Sequence, residues 1–121
     1  MAALKGARML TLGPGHRLMD EVRKLADMSG AILALEYEGS SLDAIRQMVS
    51  IEMGISLFPE LYVRTEFAKD EGIKVLPVTD WEGTRDIGFF WRRSSARGSH
   101  FQALAKLASQ VAGHLFARSF P

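Results

Sequence analysis

His16 and Arg17 place an imidazole and a guanidinium together where the loop Gly13-Pro14-Gly15 runs into a helix. The free backbone N–H groups at a helix start attract anions. A guanidinium grips carboxylates and phosphates through paired, charge-assisted hydrogen bonds. Arg17 and those N–H groups are therefore a candidate for holding a carboxylate or an inorganic anion. The competing reading is a solvated arginine at a loop edge. Ser40 and Ser41 make a second candidate. Their hydroxyls precede a helix, where they either cap it or line a cleft. Tyr37 and Phe58 end apolar segments aimed at the same edge and are further candidates to line that cleft, although core packing is the simpler role for Phe58.

Other chemistries find little support. The chain has no cysteine, which excludes disulfides, thiolate catalysis and cysteine-ligated zinc. His16, Asp20 and Ser40 carry the residue types of a hydrolase triad, but no nucleophile elbow or oxyanion motif accompanies them. His16, His100 and His114 lack metal-ligand spacing, so neither a metal nor another cofactor is expected. Arg92, Arg93 and Arg97 form a small basic patch that reads as a solvated turn. The six methionines fall mostly on apolar stripes and read as core filler. With 15 basic against 14 acidic side chains, the chain offers no basic face for nucleic acid. No motif supports an enzyme.

The elements that would position these residues alternate. Arg8–Leu12 reads as a strand, and residues 16–28 as a helix with Leu18, Val22, Leu25 and Met28 on its inner stripe. Ser29-Gly30 ends that helix, and Ala31–Tyr37 is a second strand. The stretch from Ser40 to Pro59 encodes a helix, its stop and a strand. Ser40 caps it, Asp43 completes a capping box, Gly54 supplies the left-handed stop, and residues 55–58 form the strand. Residues 61–67 fit a short helix or an irregular crossing equally well. Lys69–Gly72 is a polar turn, and residues 73–78 and 86–92 read as strands. Residues 98–117 form a last helix with Phe101, Leu104, Leu107, Ala108, Val111 and Leu115 on its stripe. The class is α/β, with a mixed, mostly parallel sheet. A length of 121 residues suits one domain or one lobe of a larger one. No signal peptide or membrane-spanning run is present, which fits the cytoplasm.

Three segments in order carry a family resemblance: Leu10-Thr-Leu-Gly-Pro-Gly-His-Arg-Leu18, the Ser40–Pro59 unit, and Arg85-Asp-Ile-Gly-Phe-Phe-Trp-Arg-Arg-Ser-Ser95 followed by Phe101-Gln-Ala-Leu-Ala105. Together they resemble the effector-binding domain of LysR-type transcriptional regulators, most closely the OxyR-like, hydrogen-peroxide-inducible branch. The resemblance implies a periplasmic-binding-protein-like (type 2) fold of two lobes. On that scheme residues 7–12 and 86–92 are crossover strands, residues 13–85 build the second lobe, and helix 98–117 belongs to the first. It further implies a small-molecule or anionic effector at a cleft near His16, Arg17, Tyr37, Ser40, Ser41 and Phe58, and a homo-oligomer. DNA would be bound only through an N-terminal helix-turn-helix that this chain lacks.

The chain departs from that branch at its sulfur. The resemblance implies a reactive cysteine after the glycine–histidine pair, where Arg17 stands, and a resolving cysteine near Ala26. Neither is present, and a guanidinium cannot attack peroxide. Two functions are expected. One is a regulatory effector-sensing domain without redox chemistry. The other is a stand-alone oligomerisation or interaction module derived from such a regulator.

Overall fold

A computed structural model describes residues 1–67 and 72–118 of the chain. They form two compact units. One comprises residues 1–58 and 72–83, the other residues 59–67 and 84–118.

The first unit is built on two parallel strands. β1 (Arg8–Leu12) is followed by α1 (Arg17–Ser29), and β2 (Ile32–Gly39) by α2 (Leu42–Ser50). Successive side chains of a strand face opposite ways. Met9 accordingly packs with Val22, Leu25 and Ala26 of α1, whereas Leu10 and Leu12 pack with Ala34 and Ile45. β1 is thus covered by a helix on each face, which explains why it reads as a continuous apolar run. Thr11 is also buried there, and its Oγ1 has no hydrogen-bond partner. Arg8 pairs with Ile32 and Met9 with Leu33, but Thr11 then pairs with Glu38 and Leu12 with Gly39. The residues of β2 gained in that irregularity include Glu36 and Tyr37. Glu36 forms an ion pair with Arg8, and the Arg8 guanidinium lies 5.8 Å from the centre of the Tyr37 ring.

The helix ends follow local chemistry. α1 closes on Gly30 at φ 74°, a left-handed conformation suited to glycine. Its buried face is Met19, Val22, Leu25, Ala26 and Ser29. That face is turned from the expected stripe, since Leu18 is only half-buried and Met28 points to solvent. α2 is capped by Ser41 rather than Ser40. Ser41 is extended, and its Oγ accepts the Ala44 N–H at 3.2 Å. Asp43 therefore lies in the first turn and faces Arg46 at 3.9 Å instead of closing a capping box. α2 also stops earlier than expected. Glu52, at φ 65°, is the left-handed residue after it. Gly54 serves a different purpose. A Cβ there would lie 2.7 Å from the Arg8 carbonyl oxygen and 3.1 Å from Leu10 Cγ. Its bareness lets the next residue reach β1: Ile55 N–H donates to Arg8 O at 2.9 Å, and Leu10 N–H to Ile55 O at 2.8 Å.

The second unit contains α3 (Glu60–Glu66) and α4 (Gly98–Ala117). The ambiguous stretch 61–67 is therefore helical up to Glu66. Val63 and Phe67 are buried, and Tyr62 meets Phe67 edge-on at 5.7 Å. Arg64 ties the two helices together. Its Nη1 donates to the carbonyls of Leu115 (3.2 Å) and Arg118 (2.6 Å), and its Nε to Glu60 at 2.8 Å. A cation is favourable at that carbonyl end of α4. Near the other end of α4, Trp91 packs on Phe101 at 6.0 Å.

Three expected strands are not formed. Residues 55–58 contribute a single bridge, Met9 to Ile55, and residues 73–78 and 86–92 carry no strand. A strand exists only where another strand offers its N–H and C=O groups, and the sheet among the described residues has two strands. The expected turn at Lys69–Gly72 falls, apart from Gly72, outside the described residues. The stripe of α4 is also displaced. Phe101, Ala105, Ala108, Ala112 and Leu115 are half-buried, while Leu104, Leu107 and Val111 are exposed.

Candidate functional site

The site is set by register. β1 and β2 are parallel and end level with each other, Leu12 against Gly39. The chain leaves both at the same edge and turns into a helix each time. α1 begins at Arg17 after the Gly13–His16 turn, and α2 at Leu42 after Ser40-Ser41. The structure thus brings His16, Arg17, Ser40 and Ser41 to one edge of the sheet, and all four are exposed.

The two helix starts differ. His16 is the N-cap of α1 and makes no side-chain cap bond. Its carbonyl accepts the Met19 N–H at 3.0 Å, which begins the helix ladder. The earliest amides of α1 are thus not taken by a capping side chain, the condition under which a helix start receives an anion. At α2 the Ser41 hydroxyl is already used on Ala44, while Ser40 lies one residue outside the helix. Gly39 is held tightly here, because a Cβ would collide with the Ile45 side chain.

Tyr37 and Phe58 are placed differently. Tyr37 is paired with Arg8, the first residue of β1. Phe58 packs half-buried against the cluster of Leu10, Leu12, Ala34 and Ile45. Sequence reading does not single out Glu38, which the structure adds to the edge. Its Oε2 lies 3.3 Å from where a Cβ of Gly13 would stand. The sequence carries no signal for this, because the pairing of Thr11 with Glu38 follows from an irregular register. Among the described residues no three His, Asp or Glu side chains gather as a metal site, and no helix is long and apolar enough to cross a membrane.

Comparison with known proteins defines the class. The profile of the LysR substrate binding domain matches residues 1–113, and the chain belongs to that family. It is 34% identical over 115 residues to the DNA-binding transcriptional dual regulator OxyR of Escherichia coli K12, covering 94% of this chain and 37% of that protein. It is 30% identical over 109 residues to the hydrogen peroxide-inducible genes activator of Haemophilus influenzae, covering 90% and 36%. An uncharacterized HTH-type transcriptional regulator of Bacillus subtilis, YwbI, is 31% identical over 115 residues, covering 74% and 38%. The chain thus spans little more than a third of the length of these relatives. No solved structure matches it.

Proposed function

We propose that the chain is the effector-sensing part of a cytoplasmic, OxyR-like LysR-type regulator that works without sulfur chemistry. Its edge of helix starts forms one wall of a ligand cleft in a two-lobed, periplasmic-binding-protein-like (type 2) domain. In this reading residues 13–85 belong to the second lobe, residues 7–12 and 86–92 are the crossovers, and helix 98–117 belongs to the first lobe. An effector with a carboxylate or other anionic group sits between Arg17, the first amides of α1 and the Ser40 hydroxyl, with His16 and Ser41 beside it, whereas Tyr37 and Phe58, placed on Arg8 and in the apolar cluster, stay outside the site. Closure on the effector changes the geometry of a homo-oligomer, and DNA is contacted by a helix-turn-helix elsewhere in the longer protein. Such a switch requires different effector affinities for the open and closed arrangements.

One observation carries this reading: the level ends of β1 and β2 put both helix starts at one edge, and that of α1 is uncapped. Open α/β sheets bind ligands at such edges. A ligand that binds only the folded state raises the melting temperature, so melting the chain against small carboxylates and inorganic anions tests the proposal. At least one anion should raise Tm, and Arg17→Ala should remove most of the rise while leaving the unliganded Tm unchanged. A rise that survives in Arg17→Ala, or no rise with any anion, contradicts it.

A further inference from the structure

The edge at which α1 and α2 begin holds hydrogen-bond acceptors as well as donors. The donors are Arg17 and the uncapped first amides of α1. The acceptors are Glu38 and Thr11, and strand alternation puts both on the α1 face of the sheet. Thr11 stands two residues after Met9, which packs on α1. Glu38 precedes Gly39, where a Cβ would meet Ile45 of α2, and so turns the other way. The two are also register partners, next to the closing pair Leu12 and Gly39. Glu38 and Arg17 are both exposed, and neither joins an ion pair or a side-chain hydrogen bond among the described residues. Thr11 is the stronger signal. It is 1% exposed, and its Oγ1 has no hydrogen-bond partner. Folded proteins rarely leave such a group unpaired, because it forfeits the bonds it makes to water in the unfolded chain.

We infer that the effector carries a cationic amine as well as its carboxylate, and that Glu38 is the residue that selects for the amine. The inference rests on the effector reading above and names its ligand class, a short aminocarboxylic acid. The carboxylate takes the Arg17 guanidinium and the first amides of α1. The ammonium has only donors to offer. It gives a charge-assisted bond to the Glu38 carboxylate, and a second bond to Thr11 Oγ1 as the Gly13–His16 turn yields. Glycine at position 13 keeps that carboxylate open, since a Cβ there would stand 3.3 Å from Glu38 Oε2. A plain carboxylate would leave the Thr11 hydroxyl unpaired and lie beside the negative charge of Glu38, which repels it. A plain amine would meet Arg17 in the same way. The two free charges of opposite sign thus favour a ligand that carries both and penalise each half alone.

Matched ligand pairs test this by calorimetric titration near neutral pH: acetate with glycine, propanoate with β-alanine, and butanoate with γ-aminobutyrate. The members of a pair share a carboxylate and differ by the amine, and the series varies the distance between the charges. At least one amino member should bind about tenfold or more tightly than its plain partner, as expected for a hydrogen bond to a charged group. Glu38→Gln should move the two in opposite directions. The plain carboxylate binds more tightly than to the parent chain, because a like charge is gone, and the amino member binds more weakly. Thr11→Val, of nearly the same shape, should weaken the amino member and spare its plain partner. Far-ultraviolet circular dichroism confirms that both variants are folded. Plain carboxylates that bind through Arg17, with no amino member binding more tightly, overturn the inference and leave the effector reading standing. A preference for the amine that persists in Glu38→Gln, or that is untouched in Thr11→Val, overturns it in favour of another acceptor. Binding by neither member of any pair overturns the effector reading and the inference together.

Discussion

At the scale of single residues, the lesson lies at positions 40, 41 and 54. Hydroxyls before an apolar-periodic stretch announce a cap, but which of two adjacent serines serves depends on the chain's angle of entry. Ser41 is extended and reaches Ala44, and Ser40 is left outside the helix. Ser41→Ala should therefore cost about 1 kcal/mol. Ser40→Ala should leave the urea midpoint nearly unchanged and act on effector affinity instead. Equal losses of stability in the two variants would contradict the assignment. Gly54 is visible in the sequence as punctuation, yet its reason is spatial: it sits against the backbone of β1, which is remote in sequence. Gly54→Ala should destabilise the chain by about 1–3 kcal/mol, the cost of forcing atoms into a filled space, measured by urea unfolding. The left-handed stop belongs to Glu52, a residue with no signature for that role.

At the scale of elements, β1, α1, β2 and α2 were legible because each carries its own period and its own ends. The inner stripes of α1 and α4 were less so. Several apolar rows fit each helix, and only the neighbours select the one that is buried. Residues 73–78 and 86–92 have strand-like composition but no partner strand among the described residues, and a ladder cannot be read from one strand alone. The role of Arg64 was not legible either, since it acts on carbonyls some fifty residues away in the chain. Arg64→Leu should cost about 1.5–3 kcal/mol, as expected for hydrogen bonds to a charged group. It should also reduce the helical signal, because α4 loses its C-terminal anchor. A variant with unchanged Tm and helicity would contradict that role.

At the scale of the whole molecule, the family was legible from three ordered motifs, and the absence of sulfur switching from composition. Residues 1–113 match the LysR substrate binding domain, and peroxide-inducible activators are among the relatives. The chain nonetheless has no thiol to oxidise. Peroxide should therefore add oxygen only at methionine, and intact-mass analysis should find no disulfide-linked species. The effector edge was half legible. Its helix starts follow from sequence, but its carboxylate, Glu38, follows from an irregular strand register. The most direct test of the central claim is an amide-resolved NMR titration of the chain with the anion that raises Tm most. The largest shifts should fall in residues 13–18 and 40–43, the two loops that lead into α1 and α2. Shifts centred elsewhere in the chain, with those loops silent, would contradict it.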